Sequence, residues 1–123
     1  MLQQLGIVAL GGAIGATLRY VVGEWVSVDS FPYATLSVNL IGSFLLGVLA
    51  VGLAQNILSV NMALLLGTGV LGAFTTMSTF SVETIQMFDQ GRGSSAIVYI
   101  GLTMVLGPIL ALLGWKVGES LFV

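Results

Sequence analysis

The sequence contains no cysteine and no histidine. The missing cysteines exclude disulfide bonds and thiolate metal sites, and the missing histidines remove the commonest metal ligand and neutral-pH switch. Charge is also scarce, because only 7% of the 123 residues are charged, against roughly 25% in ordinary soluble domains. Segments 30–82 and 93–115 carry no formal charge at all. A soluble fold could not bury so much uncharged sequence, so we place the chain in a membrane.

Hydrophobic residues make up 57% of the chain and fall into long runs. A hydrocarbon core about 30 Å thick takes about 20 helical residues to cross. This length divides the sequence into four candidate spans, at about 4–23, 33–54, 62–87 and 95–118. Polar and turn-forming residues join them, at 25–33, 55–61 and 88–94. Since backbone in lipid must satisfy its hydrogen bonds internally, we predict an all-α, multi-pass protein of the cell membrane with a single transmembrane domain over 1–123.

The few basic residues give almost no preferred orientation. Arg19 and Arg92 fall on one side of the predicted membrane, while Lys116 and the N-terminal amine fall on the other. Such a chain can insert both ways up, and two opposite copies can then pair as an antiparallel dimer. The alternative is that a small imbalance still orients every copy. Because four short helices enclose too little volume for a water-lined pathway, a dimer is the simplest way to build one.

Polar side chains form a stripe on the second span. Thr35, Asn39 and Ser43 lie four positions apart on a helix otherwise rich in Leu, Val, Ile and Phe. Asn39 is the deepest, and its amide offers two N–H donors. Polar groups at membrane depth normally face a bundle interior or a wet cavity. The stripe therefore indicates either a pathway or interhelical hydrogen bonds worth about 0.6 to 2 kcal/mol.

The fourth span repeats this spacing with Tyr99, Thr103 and Gly107, followed by Pro108, which lacks a backbone donor and can kink the helix. A second polar stripe favours a pathway. The competing interpretation is that Tyr99 is an interface aromatic and Thr103 bonds the carbonyl four residues earlier.

The third span is unusual because five hydroxyl residues occur within the seven positions 75–81, after a glycine-rich run. Ser and Thr compete for backbone hydrogen bonds, so we predict a break that splits the span into two half-helices. Irregular backbone at this depth is tolerated only where it is buried or lines a cavity, and its freed carbonyls and amides commonly bind ions. An unbroken helix rich in Ser and Thr is the alternative.

Four glycines form two pairs with G-x-x-x-G spacing. Gly11 and Gly15 lie in the first span, and Gly114 and Gly118 lie in the fourth. Such pairs let two helix backbones approach closely. We therefore expect helix contacts at both pairs.

Two charged residues near the spans are candidates for function. Arg19 is expected to extend to the membrane surface and form a positive rim that concentrates anions. Glu83 lies just after the predicted break, where the dipole of the second half-helix can stabilise it. A titratable relay is the other role open to Glu83.

Segments 12–19, 35–42 and 72–84 carry a family resemblance, and the third is highly specific. Over its whole length the chain resembles the Fluc fluoride channels, also called CrcB. The resemblance implies an antiparallel dimer with two pores that exports fluoride passively, with no enzyme activity and no nucleic-acid partner. It also implies a structural sodium ion at the dimer centre, bound by the backbone carbonyls of Gly72 and Thr75 from each subunit.

By the same resemblance Asn39, Phe80, Tyr99 and Thr103 would line the pores, with Arg19 near a vestibule. We expect further pore contacts from neighbouring polar and thioether side chains, at Ser43, Met77, Ser78 and Thr79. Met77 departs from the family pattern, which usually has phenylalanine there, and Ala34 replaces a usual glycine. Either the pore tolerates the thioether, or the partner is a sister chain that supplies the missing ring.

Two other functions remain open. A proton-coupled exporter resembling the small multidrug resistance family also has four helices and dual topology, but it needs a carboxylate deep in its first span, and this span has none. A membrane assembly subunit without transport would use the polar stripes only as contacts between helices.

Overall fold

The computed structural model describes residues 1–26 and 31–123, and all regular structure in them is helical. This confirms the predicted all-α fold. In chain order, the described elements are α1 (Leu2–Trp25), α2 (Tyr33–Ala54), α3 (Val60–Ala63), a π-helix (Leu64–Leu71), α4 (Gly72–Phe74), α5 (Met77–Asp89) and α6 (Gly93–Phe122). Residues 27–30, which belong to the predicted first connector, lie outside the described residues.

Four stretches of helix in the described part of the chain are long and apolar enough to cross a membrane, as predicted. They are α1, α2, the run Val60–Asp89 and α6. The first two have 24 and 22 residues, close to the about 20 needed for one crossing. The last two have 30 residues each and extend past their predicted ends, and α6 continues through Pro108. Exposed leucine, isoleucine and valine side chains along these helices form the apolar surface that lipid requires.

The helices α2 and α6 pack with their backbones in contact. A Cβ atom on Gly114 would overlap the Phe44 carbonyl oxygen, and one on Gly47 would overlap that of Ala111. A Cβ atom on Gly118 would lie 2.8 Å from a side-chain carbon of α2. These approaches confirm the close contact predicted for the fourth-span glycine pair.

The helix α1 packs in the same way against the π-helix and α4. A Cβ atom on Gly11 would lie 2.9 Å from the Cα of Gly69, and one on Gly15 would lie 3.0 Å from the Phe74 nitrogen. The contact predicted for the first-span pair is therefore confirmed as well. The glycines hold the middle of α1 against the π-helix, and Gly15 lies beside Phe74 at the end of α4.

Two buried apolar clusters lie among the helices. The first joins α2, α5 and α6 through Leu36, Phe80, Met87, Ala96 and Tyr99. The second joins α2, the π-helix and α4 through Val38, Leu71 and Phe74. The residues between α4 and α5 thus connect the second cluster, which includes α4, to the first cluster, which includes α5.

Candidate functional site

The helical backbone changes course between α4 and α5. Thr75 (φ −87°, ψ 157°) and Thr76 (φ −152°, ψ 119°) are extended, whereas α4 ends at Phe74 and α5 begins at Met77. We call these two residues the Thr75–Thr76 link. The Thr75 N–H still donates to the Leu71 carbonyl at 3.1 Å, so the regular hydrogen-bond ladder reaches this residue. Beyond it, the backbone groups at the end of α4 and the start of α5 need other partners.

Asn39 of α2 bonds the backbone of Thr76 on both sides. The Thr76 N–H donates to Asn39 Oδ1 at 2.8 Å, and Asn39 Nδ2 donates to the Thr76 carbonyl at 3.1 Å. The amide thereby replaces the helical partners that extended backbone lacks. Because an amide has two N–H donors, one of them is not needed for this contact. Asn39 therefore forms an interhelical bond and still has a donor to offer.

The hydroxyl of Thr76 caps the start of α5. Its Oγ1 accepts from the Thr79 N–H at 3.1 Å and donates to Thr79 Oγ1 at 3.1 Å, and it lies 3.3 Å from Ser78 Oγ. Threonine is a favoured residue at this position because its oxygen satisfies a free N–H of the first turn. The hydroxyl-rich segment thus stabilises the start of a helix. Thr76 was not among the predicted site residues, although the cluster of Ser and Thr around it was the signal.

These bonds remove the helical hydrogen-bond donors of the two carbonyls predicted to bind sodium. In a continuous helix the Gly72 carbonyl would accept from the Thr76 N–H, and the Thr75 carbonyl from the Thr79 N–H. Here the first donor goes to Asn39 and the second to the Thr76 hydroxyl. Within 1–26 and 31–123, no three His, Cys, Asp or Glu side chains gather as a metal site. The sodium prediction concerns backbone oxygens and stays a prediction.

A cavity of about 260 Å³ lies beside the link, and we call it the asparagine cavity. Its polar lining residues are Asn39, Ser43, Thr75, Thr76 and Thr103. Met77 also lines the cavity. Ser43 Oγ donates to the Asn39 carbonyl at 2.7 Å, whereas Thr103 Oγ1 is buried without a hydrogen-bond partner among the described residues. Four predicted pore residues thus meet here: Asn39, Ser43, Met77 and Thr103.

A larger cavity of about 570 Å³ lies on the other side of Thr76, and we call it the arginine cavity. Its charged lining residues in the described chain are Arg19, Glu24 and Glu83, and Thr79 also lines it. Thr76 lines both cavities. The link therefore separates two polar spaces that the sequence alone did not distinguish.

Phe80 and Tyr99 lie in the first buried cluster and not in the lining of either cavity. They are 5% and 0% exposed, and their rings meet edge-on with centroids 4.9 Å apart at 68°. The Tyr99 hydroxyl donates to Glu83 Oε1 at 3.0 Å. This contact joins the tyrosine of α6 to a carboxylate of the arginine cavity. Ser78, by contrast, is exposed and contacts the cap through Thr76.

Arg19 is half-buried, and its guanidinium Nε donates to the Ala73 carbonyl at 3.0 Å. Ala73 lies in α4, two residues before the link. The sequence could not reveal this contact, because its partners are 54 positions apart and one of them is a backbone atom.

Known proteins provide the remaining observation. The family model described as "CrcB-like protein, Camphor Resistance (CrcB)" matches residues 6–115. The Fluoride-specific ion channel FluC of Agrobacterium fabrum is 40% identical over 122 residues, which cover 96% of this chain and 98% of that protein. The protein of the same name from Thermus thermophilus is 42% identical over 118 residues, covering 94% and 93%. That of Oceanobacillus iheyensis is 49% identical over 110 residues, covering 88% and 85%. With a family match over most of its length and relatives aligned nearly end to end, this chain belongs to the CrcB family.

Proposed function

We propose that this chain is a subunit of a fluoride channel that lets fluoride leave the cell passively. The family membership and the names of its relatives support fluoride as the ion. The observation that carries the proposal is the Thr75–Thr76 link held by Asn39 beside a polar cavity. A transmembrane segment interrupted at this link gives an anion access to hydrogen-bond donors that a regular apolar helix lacks.

Neutral donors suit a small anion that must both enter and leave. Asn39 keeps one N–H beyond its bond to Thr76, and the Thr103 hydroxyl is buried without a partner in the described structure. Together with hydroxyls at Ser78 and Thr79, and with the Ser43 hydroxyl once it turns away from the Asn39 carbonyl, they would replace part of the water shell of fluoride. No lysine or arginine is among the described residues that line the asparagine cavity, so the ion would not be bound too tightly to pass.

Phe80 and Tyr99 would contribute to the same pathway from the buried cluster. The positive edge of an aromatic ring attracts an anion. In the single chain both rings are already packed edge-on against each other, and the hydroxyl of Tyr99 is bonded to Glu83. Their part in conduction would then depend on the face of the second subunit that completes the pore.

The functional unit would be an antiparallel dimer, with a partner that is either identical or a sister chain. The balanced distribution of basic residues supports dual topology. An apolar groove of about 570 Å³ between α2 and the π-helix, which also reaches Gly72, supplies a surface for a second subunit. A partner there would cover Gly72, which is exposed in the single chain.

The structural sodium ion would lie at the same interface between the two subunits. The carbonyls of Gly72 and Thr75 have lost their helical donors to Asn39 and to the Thr76 hydroxyl. Backbone oxygens of this kind are suitable ligands for a hard cation. With two such carbonyls from each subunit, a sodium ion would offset the repulsion among the four oxygens brought together at the interface. We expect removal of sodium during purification to shift the protein from dimer to monomer in size-exclusion chromatography, and a sodium-independent dimer would contradict the site.

The proposal is tested in cells by expressing the chain in a bacterial strain made sensitive to fluoride by loss of its own fluoride export. We expect growth to be restored in fluoride but not in an equally inhibitory concentration of an unrelated toxic anion. Failure to restore growth, with the protein present in the membrane fraction, would contradict fluoride export.

Dual topology has its own test. A tag at the C-terminus should react with a membrane-impermeant reagent both in intact cells and in inverted vesicles, because copies face both ways. Labelling from one side alone would reject the antiparallel arrangement.

A further inference from the structure

A stripe along α1 ends in Arg19. Gly11, Gly15 and Arg19 are spaced four residues apart and therefore lie on one face of the helix. A Cβ atom on Gly15 would overlap the Val70 carbonyl oxygen and lie 3.0 Å from the Phe74 nitrogen. The backbone of α1 is thus pressed against the end of α4. One turn further on, the side chain of Arg19 is placed at the point where α4 stops.

The contact of Arg19 is specific in its atoms. Nε donates to the Ala73 carbonyl at 3.0 Å. In a continuous helix that oxygen would accept from the N–H of Met77, but Met77 begins α5 on the far side of the link. The end of a helix also carries partial negative charge on its free carbonyls, which a guanidinium complements. Arg19 therefore supplies both a donor and a charge where α4 lacks them.

The surroundings of Arg19 do not favour a role in attracting anions. The arginine cavity carries one formal positive charge from Arg19 and two formal negative charges from Glu24 and Glu83 among its described lining residues. The sum of these three charges is −1, and a lining with this balance does not raise the local concentration of fluoride.

The link is consequently held from two helices. Asn39 of α2 bonds the backbone of Thr76, and Arg19 of α1 bonds the carbonyl of Ala73, three residues earlier. We propose that Arg19 is a positioning residue for fluoride conduction, which fixes the end of α4 through the Nε–Ala73 bond and so sets the geometry of the Thr75–Thr76 link. This inference rests on the proposed channel function.

Two substitutions separate the donor from the charge. In Arg19→Gln the Nε2 atom follows the same number of bonds from Cα as Nε does in arginine, so the donor is kept and the charge is lost. In Arg19→Met a chain of similar length keeps neither. Fluoride efflux from proteoliposomes is measured for both variants and for wild type. We expect Arg19→Gln to retain flux within about threefold of wild type, and Arg19→Met to lose at least about tenfold, as removal of a charge-assisted hydrogen bond implies.

A second readout separates positioning from long-range attraction. Raising the concentration of an impermeant salt from 0.01 M to 0.1 M shortens the screening length from about 30 Å to about 10 Å. We expect the ratio of wild-type to Arg19→Met flux to stay constant over this range. A ratio that collapses at high salt, or equal losses in the Gln and Met variants, would overturn the proposal.

If Arg19→Met does not yield a folded dimer, the glutamine variant decides alone. Flux within about threefold of wild type then supports the donor role, and any larger loss rejects it. Absence of wild-type flux in the same vesicles would be a failure of the channel function and not of the positioning role. In that case, amide hydrogen exchange of residues 75–80 compares the variants, with faster exchange expected in Met than in Gln.

Discussion

The α2–α6 pair and the Thr75–Thr76 link are stabilised in opposite ways. The pair brings two regular helices together at Gly47 and Gly114, where backbone meets backbone, and at Gly118, which meets the side chain of Val51. At the link the chain leaves the regular helix, and side chains from other helices bond the backbone nearby. Asn39 bonds Thr76 of the link, and Arg19 bonds Ala73 just before it. The glycine contacts themselves leave no room for an ion, whereas the link leaves donors and carbonyls beside two cavities. Function in this small protein is therefore expected where the helix is interrupted.

The largest expected effect on folding is at the glycine-packed pair. In Gly114→Ala the new Cβ would overlap the Phe44 carbonyl oxygen, so α2 and α6 must separate. We expect a loss of about 1–3 kcal/mol in stability, seen as a lower Tm and a broadened size-exclusion peak. Gly101→Ala is the matched control, because a Cβ atom there meets nothing within 4 Å. An equal Tm for both variants would show that the close backbone contact at Gly114 does not stabilise the packing of α2 against α6.

Asn39→Leu removes the side chain that bonds the Thr75–Thr76 link and should mainly reduce fluoride conduction. The change removes the bonds to the Thr76 N–H and carbonyl and the remaining amide donor. We expect fluoride flux to fall roughly a hundredfold, the equivalent of about 2.7 kcal/mol, while the dimer still folds. Ser37→Ala on the same helix, outside both cavity linings, should keep its flux and serves as the control. Undiminished flux in Asn39→Leu would show that Asn39 has only a structural role.

Thr76→Val removes the cap of α5 but preserves the shape of the side chain. In the wild type the Thr76 hydroxyl accepts from the Thr79 N–H, so in the variant this N–H of the first turn of α5 would lose its hydrogen-bond partner. We expect a loss of about 0.5–2 kcal/mol and faster amide exchange at residues 77–80. Thr75→Val is the neighbouring control. In the described structure the Thr75 hydroxyl donates only to the Leu71 carbonyl, and that carbonyl also accepts from the Thr75 N–H, so it keeps a donor in the variant. Larger damage from the Thr75 change would reverse the assignment of the cap.

Met77→Phe should have the smallest effect on the fold. Met77 is 63% exposed at the start of α5 and lines the asparagine cavity. We expect Tm to change by less than the equivalent of about 0.5 kcal/mol. We also expect flux to rise, because a ring edge adds an attraction that a thioether lacks. Met62→Phe, at another exposed methionine outside that cavity, controls for added bulk. A fall in flux would indicate that the pore is built around the thioether.

The comparison also explains how far the sequence could predict the molecule. The four spans follow from length and hydropathy, and the glycine contacts follow from G-x-x-x-G spacing, because both depend on neighbours along one helix. The place of Asn39 on a polar stripe of α2 could be predicted in the same way. The bond of Asn39 to Thr76 could not, since the partners are 37 positions apart and the bond needs the extended backbone to exist.

Two further features had no local signal. The π-helix Leu64–Leu71 carries no sequence motif that distinguishes it from an α-helix, and it packs closely against α1 where Gly69 meets Gly11. The burial of Phe80 and Tyr99 in one cluster likewise depends on how α5 meets α6. Tertiary contacts, and not local propensity, decide both.

The most direct test of the central claim is ion efflux from liposomes that contain the purified chain and are loaded with potassium fluoride. A potassium ionophore starts the efflux, a fluoride electrode records it, and matched vesicles loaded with potassium chloride provide the control. We expect rapid loss of fluoride with chloride retained. Vesicles that keep their fluoride, with the chain alone and with a sister chain added, would contradict the account.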